Sequence, residues 1–464
     1  MPQVTFTFTW SARRSLRLEQ ENLERQHYLK ELKRRGRQAI LLKKIKEETL
    51  TSKAKMEDPI TCQDPLVHNA LYTGNLEKIE ELFPKNQTVN MIIETKHGEL
   101  RWTSERMGLW SLSYEQELTT PLHITASRGY NDCLRHLLLR GAEVDLAPGG
   151  KTPLHEACEN AMTESVRLLL AFGACTNAIS EDGLSPLHYC NSTESLECAK
   201  LVLTYGANVN CQSEEEEDTP LHIAAQNGLE EHLKLYLQYG ADVHKKNNEG
   251  LTPLNTACAQ PHRAEDTDRY YHMCKELVDR GAKVTVCDLD RVSPLHNACK
   301  VANHKVVELL LEQGARVNDM NYSGNTPLHN ILQVVPFKLE HYPERTVRAL
   351  LNYGAIRLWP GSIPKVLQVC SPSPRTIEVL INCYDRLKDT TGWEESVPFT
   401  VLVKYPEFYE SLFTLSSKPR SLQHLARHVV RTYLDGRLRK VIPKLRLPPI
   451  FEKYLMLAFE DYLY

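Results

Sequence analysis

Apolar residues recur at helical spacing along most of this 464-residue chain, in short blocks that repeat about every 33 residues. In one block Val166, Leu169 and Leu170 fall at positions i, i+3 and i+4, which places them on one face of a helix. The same positions one block later hold an equally apolar set, Ala199, Val202 and Leu203. The pattern predicts a series of short amphipathic helices repeated along the chain.

A tetrad of sequence Thr/Ser-Pro-Leu-His/Asn precedes each block. The seven tetrads start at Thr120, Thr152, Ser185, Thr219, Thr252, Ser293 and Thr326, in steps of 32, 33, 34, 33, 41 and 33 residues. The hydroxyl residue is placed to cap a helix, and the proline suits the first helical position, where no backbone N–H is needed. A Gly-Ala pair closes each unit as a left-handed helix stop. These glycines are Gly141, Gly173, Gly206, Gly240, Gly281, Gly314 and Gly354.

Tetrad and stop together resemble the ankyrin repeat family, in which each unit is a turn, two antiparallel helices and a projecting hairpin loop. The resemblance implies an all-α ankyrin-repeat solenoid with seven repeats over residues 119–355. A weaker unit at 64–83 is expected to form the N-terminal capping repeat, since terminal repeats are usually atypical. Residues 84–118, which include Trp102 and Trp110, form an insertion between the cap and the first full repeat.

The fifth and seventh units carry 8 and 7 extra residues between tetrad and stop, around Pro261–Tyr271 and Pro336–Pro343. We expect them to lengthen the first helix or the turn between the helices. Insertions of this kind map to one face of a solenoid and are often functional. A tolerated surface loop is an equally good interpretation.

Six of the seven tetrads end in histidine, and Asn255 takes that place in the fifth unit. The histidines are His123, His155, His188, His222, His296 and His329. Helices of neighbouring repeats pack about 8–10 Å apart, so successive imidazoles cannot share a metal ion at bonds of about 2 Å. We therefore predict that each histidine hydrogen-bonds loop backbone and connects neighbouring repeats.

The 13 cysteines include no CxxC pair, and Cys158, Cys258 and Cys299 share one register of the repeat, with Cys190 one residue short of it. Small buried cysteines behave as apolar filler, which we favour over a reactive role. The sequence contains no P-loop, GxGxxG, GxSxG or HExxH motif. We therefore expect a chain that is not an enzyme and needs no cofactor.

Beyond the repeats, residues 356–419 are expected to form terminal helices and a linker, with a closing helix over Arg375–Leu387. Ser421 is a candidate N-cap for a helix that ends before Gly436 and has an apolar stripe with 3–4 spacing. The stripe consists of Leu422, Leu425, Ala426, Val429, Val430, Tyr433 and Leu434. In the simplest interpretation this helix closes the stack.

Residues 420–464 resemble a SOCS box, which follows an ankyrin stack in one protein family. The resemblance implies that elongin C, together with elongin B, binds the residues Leu422, Leu425, Ala426, Val429 and Val430. In the family pattern a leucine is followed by a cysteine or small residue four positions later and by an aliphatic residue after four more. Leu422, Ala426 and Val430 match it, with alanine in place of the commoner cysteine.

The second part of a SOCS box carries a Leu-Pro-Leu-Pro-like segment that recruits cullin-5 with its RING partner. The corresponding residues here are Leu445, Arg446, Leu447, Pro448 and Pro449. Arg446 stands where the family has a proline, so the fixed φ of proline is lost. Cullin-2 is therefore an alternative to cullin-5.

The whole chain is similar to the ankyrin repeat and SOCS box family, which implies a substrate-recognition subunit of a cullin-RING ubiquitin ligase. Its repeats would hold a protein target for ubiquitination and proteasomal degradation. The alternative is an ankyrin scaffold without a role in ubiquitination, whose C-terminal helices only cap the stack. Both predict protein binding, so the C-terminal box discriminates between them.

Composition and the N-terminal sequence bear on where the protein is located in the cell. The chain is 42% hydrophobic and 25% charged, with a formal net charge of −3. No apolar run is long enough for a membrane span, and the N-terminus has no secretory signal. We expect a cytoplasmic protein, with the nucleus as a further location.

The N-terminal arm, residues 1–63, is basic, with 14 Lys/Arg against 6 Glu over residues 11–55. A solvated arm, a partner-docking segment and a nucleic-acid or nuclear-import signal are the alternatives for it. The acidic run Glu214–Asp218 falls in a hairpin loop, where it is either solvated or helps to select a basic target.

Overall fold

A computed structural model describes residues 61–62, 64–84, 86–106, 109–387, 390, 392–416, 420–434 and 436–458. These residues belong to one compact unit that runs from Ile60 to Tyr464. The predictions made for residues 1–60, which include most of the basic arm, lie outside the described residues.

The stack begins with a helix pair, as predicted for the N-terminal capping repeat at 64–83. Helices α1 (Pro65–Thr73) and α2 (Leu76–Leu82) pack together and are followed by the short α3 (Asn86–Val89). The Asp64 carboxylate accepts the backbone N–H of Leu66 at 2.9 Å, which caps α1.

The insertion before the first full repeat is built of strands. Strand β1 (Thr61–Cys62) pairs in parallel with β2 (Ile92–Arg106), which pairs antiparallel with β3 (Leu109–Thr119) in the order β1-β2-β3. The β2–β3 register runs from Ile93 opposite Thr119 to Arg106 opposite Leu109. The hairpin returns the chain directly to Thr120, where the first tetrad begins. It adds little strand to a mostly helical fold, so the predicted all-α class is confirmed.

Seven repeats then follow, six of them as helix pairs and the third with its second helix alone. The first helices are α4 (Pro121–Ser127), α6 (Pro153–Glu159), α9 (Pro220–Gln226), α11 (Pro253–Ala259), α13 (Pro294–Val301) and α15 (Pro327–Val334). The second helices are α5 (Asn131–Leu139), α7 (Thr163–Ala171), α8 (Leu196–Thr204), α10 (Glu230–Gln238), α12 (Thr267–Asp279), α14 (His304–Glu312) and α16 (Pro343–Asn352). The tetrad leucines, among them Leu154, Leu221 and Leu295, are fully buried in the shared core.

The third unit has no first α-helix: residues 186–189 form a turn, and a 3-10 turn at Thr193–Ser195 leads into α8. The backbone N–H groups of His188 and Cys190 donate three residues back, to the carbonyls of Ser185 and Leu187, rather than four residues back as in an α-helix. Ser192 caps the 3-10 turn that follows.

The two longer units depart from the regular repeat between their helices. In the fifth unit, α11 ends at Ala259, a 3-10 turn follows at Ala264–Asp266, and α12 extends to 13 residues. The first helix is therefore not lengthened. In the seventh unit, 3-10 turns at Val335–Phe337 and Leu339–His341 separate α15 from α16. The two insertions meet, with the rings of His262 and His341 centred 5.8 Å apart.

After the repeats come α17 (Ile363–Cys370), α18 (Pro374–Ile381), α19 (Phe399–Lys404) and α20 (Pro406–Phe413). Helix α18 takes the place of the predicted closing helix but ends six residues earlier, at Ile381. The C-terminal box consists of α21 (Leu422–Leu434), α22 (Leu438–Val441) and α23 (Pro449–Leu455). Within the described part of the chain, every helix is too short or too polar to cross a membrane.

Candidate functional site

The tetrad histidines connect successive repeats. Thr152 donates its backbone N–H to His155 Nδ1 at 3.0 Å, so Nδ1 is the acceptor and Nε2 carries the proton. His155 Nε2 then donates to the carbonyl of Leu184 in the next unit at 3.1 Å. The same contact to the next unit is made by His123 with Lys151, His188 with Asp218, His222 with Leu251 and His296 with Asn325, at 2.8–3.1 Å. The predicted structural role is thus confirmed for these five histidines.

Two tetrads vary this arrangement. Asn255 replaces the histidine in the fifth unit and donates Nδ2 to the Val286 carbonyl at 3.2 Å, so an amide connects the two units through a different carbonyl. His329, in the last repeat, contacts Thr326 of its own unit through Nδ1. Burial lowers the pKa of His123, His155 and His222 to about 4, which keeps these rings neutral at pH 7.

The cysteines of the repeat register are buried, as expected for filler. Burial raises the pKa of the Cys299 thiol far above its ordinary value, and Cys258 Sγ lies 3.8 Å from Cys274 Sγ in the same core. A thiol with a raised pKa is protonated and inert at neutral pH. These side chains therefore pack the interior.

Helix α21 of the C-terminal box has the predicted amphipathic pattern. Its first turn is capped by Ser421, whose hydroxyl accepts the backbone N–H of His424 at 3.2 Å. The helix, however, turns its polar face toward the stack and its apolar face toward solvent. A closing helix would do the opposite, because burying apolar surface is what stabilises such packing.

Arg431 is the main anchor of the polar face. Its Nη1 donates to Asn352 Oδ1 at 2.7 Å and to the Leu455 carbonyl at 2.6 Å, and its Nη2 donates to the Leu351 carbonyl at 3.3 Å. One guanidinium thus links the last repeat to both α21 and α23. Burial lowers the pKa of Arg431, and the nearby arginines lower it further.

Two further contacts hold the same face. His424 Nε2 lies 2.8 Å from the Tyr384 carbonyl, and burial lowers the pKa of this ring to about 4, so that it donates as a neutral imidazole. Arg427 is buried against the Asn382 carbonyl, and its guanidinium carbon lies 4.4 Å from the ring centroid of Tyr454. The helix is therefore fixed through polar groups on one side.

The predicted elongin-binding residues share the opposite, solvent-facing side. The exposed fraction is 85% for Leu422 and 65% for Val429, and Tyr433 on the same stripe is 79% exposed. Leu425, Ala426 and Val430 are also exposed. Leu434, the last residue of the stripe, packs instead into a small cluster of its own with Leu438 and Ile442.

The predicted cullin-binding residues form a turn between two short helical segments. A 3-10 turn ends at Leu445, and α23 starts at Pro449, while Leu445, Arg446 and Pro448 are exposed and Leu447 is half-buried. Arg446 adopts the left-handed conformation, with φ 49° and ψ 42°. A proline cannot adopt it, since its ring holds φ near −65°. This turn is therefore not the backbone that a Leu-Pro-Leu-Pro segment would have.

The anchoring role of the polar face was missed by sequence reasoning. His424, Arg427 and Arg431 recur at i, i+3 and i+7, and this side of the helix has no acidic residue. A solvated face usually mixes both signs of charge, so this one-sided basic pattern was the available signal.

Comparisons with known proteins agree with both halves of this architecture. The ankyrin-repeat family (Ankyrin repeats, 3 copies) matches residues 122–213, 187–270 and 262–356, and the SOCS box family matches residues 418–456. The chain is 41% identical to Ankyrin repeat and SOCS box protein 16 of Homo sapiens over 461 residues, or 99% of each chain.

Two further relatives cover most of the chain. Ankyrin repeat and SOCS box protein 10 of Mus musculus is 44% identical over 408 residues, 85% of this chain and 87% of the relative. Ankyrin repeat and SOCS box protein 18 of Homo sapiens is 41% identical over 409 residues, 87% of each. The similarity therefore extends over repeats and box together.

Proposed function

Because this chain belongs to the ankyrin repeat and SOCS box family, we propose that it is a target-recognition adaptor that docks elongin C on helix α21. Elongin B would bind together with elongin C, and the complex would join cullin-5 and its RING partner. The repeats would hold a protein for ubiquitination and proteasomal degradation. Ubiquitin transfer then takes place on other subunits, and this chain contributes by raising the effective concentration of the target.

The observation that carries the proposal is the outward orientation of the apolar stripe. Leu422, Val429 and Tyr433 form a contiguous row on one face of α21 and are mostly exposed. Contiguous exposed apolar surface of this kind marks an interaction site. It favours the adaptor over a scaffold whose C-terminal helices only cap the stack.

Ala426 lies within this row, four residues after Leu422 and four before Val430. A methyl side chain leaves a shallow spot between two larger apolar residues. A pocket on elongin C that accepts the commoner cysteine would also accept alanine, with less buried area and weaker binding.

The cullin-binding half of the proposal rests on Leu445, Arg446, Leu447, Pro448 and Pro449. Leu445 is exposed and available for contact. The left-handed Arg446 changes the local path of the chain, so a pull-down that compares cullin-5 with cullin-2 is the direct test. A cullin-2 preference would contradict the cullin-5 assignment.

The elongin half is tested with Leu422→Asp in the full chain. Because Leu422 is almost entirely exposed, the variant should fold normally, while a carboxylate in an apolar pocket should abolish co-purification with elongin B and C. Gln423→Asp, on the adjacent exposed position, is the matched control and should retain binding. Unchanged elongin capture by Leu422→Asp would refute the proposal.

We also propose a cytoplasmic location, with the nucleus as the further compartment. Fluorescence microscopy of the tagged full chain tests this assignment.

A further inference from the structure

An open cleft lies beside the seventh repeat, away from the C-terminal box helix. Its volume is about 640 Å³, and it is bounded by the seventh-unit insertion, the start of α16, the start of α18 and the start of α20. The fifth-unit insertion reaches the same region, because the ring of His262 contacts the ring of His341, the residue directly before Tyr342. Both longer units thus contribute to one face of the stack.

Glu344 is one of the carboxylates that line this cleft. It is the second residue of α16, lines the cleft and is only 5% exposed. Among the residues that the structure describes, no hydrogen-bond donor or cation is paired with its carboxylate. The carboxylate oxygens keep contact with solvent through the cleft, so an incoming cation can reach them. The dipole of α16 favours a carboxylate at this position.

Other charged groups line the same cleft, and none of those described is paired with Glu344. Glu378, a second buried carboxylate in the lining, and Arg375 both take part in other interactions. Lys404 Nζ lies 5.0 Å from the ring centroid of Tyr405. Glu407 adds another carboxylate at the exposed side. The carboxylate of Glu344 therefore remains available for a cation that enters from solvent.

The walls of the cleft suit the stem of a long basic side chain. Tyr342, Tyr405 and Phe408 line it together with three prolines, Pro372, Pro374 and Pro406. Aromatic faces attract ammonium and guanidinium groups, and the Tyr342 ring already carries Arg345 at 4.9 Å from its centroid. Tyr342 itself has φ 54°, a strained left-handed conformation of the kind that concentrates at functional sites.

We propose that this cleft receives an arginine or lysine side chain of the target protein, whose cation pairs with Glu344 while its methylene stem lies against the aromatic walls. The assignment of the cation to a target rests on the proposed adaptor function. Binding of the cation itself does not depend on elongin, so the two proposals can fail separately.

The test uses the full chain and three small probes, N-acetyl-arginine methylamide, N-acetyl-lysine methylamide and the neutral citrulline analogue. Saturation-transfer difference NMR should detect at least one of the cationic probes with an affinity tenfold or more above that of citrulline. Glu344→Gln should reduce that affinity at least tenfold, whereas Glu340→Gln, an exposed position in the same insertion outside the cleft lining, should leave it unchanged. The stronger of the two cationic probes identifies the side chain.

The melting temperature separates a binding role from a structural one. Because Glu344→Gln keeps the side-chain shape and removes a charge that pairs with no described residue, its melting temperature should equal or exceed that of the wild type. A lowered melting temperature would assign Glu344 to the fold and overturn the proposal. Equal binding of citrulline, or undiminished binding by Glu344→Gln, would also overturn it. Leu422→Asp should bind the probes like the wild type, and Glu344→Gln should still capture elongins.

Discussion

The histidine contacts between repeats should make the stack sensitive to acid, and His222 offers the cleanest test. In the folded chain its Nδ1 accepts the backbone N–H of Thr219 at 3.2 Å, and its Nε2 donates to the Leu251 carbonyl at 3.1 Å. A protonated ring would have no acceptor for the Thr219 N–H, so the folded state requires the neutral form.

The size of the effect follows from the pKa shift. Burial lowers the pKa of His222 from 6.5 to about 4 in the folded state. The unfolded state therefore binds the proton more tightly, and stability is complete above pH 6.5 and is lost as the pH falls toward 4. At pH 5.0 the linkage relation gives a loss of about 2 kcal/mol from this one residue.

Asparagine is a natural substitute for this histidine within the same chain. Asn255 also reaches a carbonyl of the next repeat, that of Val286, and Thr252 donates its hydroxyl to Asn255 Oδ1 at 3.3 Å. His222→Asn should keep the connection without a titratable group. At pH 7.5 we expect it to cost about 1–2 kcal/mol, a usual value for a buried substitution.

Urea denaturation followed by circular dichroism at pH 7.5 and pH 5.0 measures the difference. When the pH falls from 7.5 to 5.0, the wild type should lose about 2 kcal/mol more free energy of unfolding than His222→Asn does. His244→Asn, at an exposed loop position, controls for the replacement of an imidazole by an amide. The same relative free energy at both pH values would refute the neutral-histidine argument.

Two further predictions concern the C-terminal box. Arg431→Met leaves the acceptors at Asn352 and Leu351 without their donor and should release the box from the stack. Limited proteolysis should then show faster cleavage between 414 and 421 with the repeats intact, and protection equal to wild type would contradict the prediction. Arg446→Gly removes the backbone strain of a left-handed residue that carries a side chain and should stabilise the box by about 0.5–1 kcal/mol in thermal denaturation. Arg446→Pro should destabilise the box, because proline cannot adopt a φ of 49°.

The repeat could be predicted from sequence because its signals are local. A hydroxyl, a proline and a leucine in succession specify the capped start of the first helix. Gly173, at φ 91°, specifies the end of the second helix of the same unit, where a Cβ would be strained. The contacts between histidines and the next repeat could be predicted from the regular spacing of the tetrads. The absence of the first helix in the third unit could not be predicted, since Ser185 begins a tetrad like the others although residues 186–189 form a turn.

The features that sequence could not predict depend on long-range contacts. The cleft around Glu344 forms because segments more than 60 residues apart, from Tyr342 to Phe408, come together. From the sequence alone, Glu344 is an ordinary acidic residue in the first turn of a helix. Its burial and lack of a partner are properties of the assembled stack.

The orientation of α21 has the same kind of cause, and it explains how the fold leaves a binding face free. The last helices of the stack end near α21, and helix C-termini present carbonyl groups that lack intrahelical donors. Arg431 reaches the Leu351 carbonyl in the last turn of α16, and His424 and Arg427 reach carbonyls just after α18. Because basic side chains satisfy this end of the solenoid, the apolar stripe is not needed to close it. A SOCS box helix anchored in this way keeps Leu422 and its neighbours in solvent without unfolding, so capping the stack and presenting a docking surface are compatible roles of one helix.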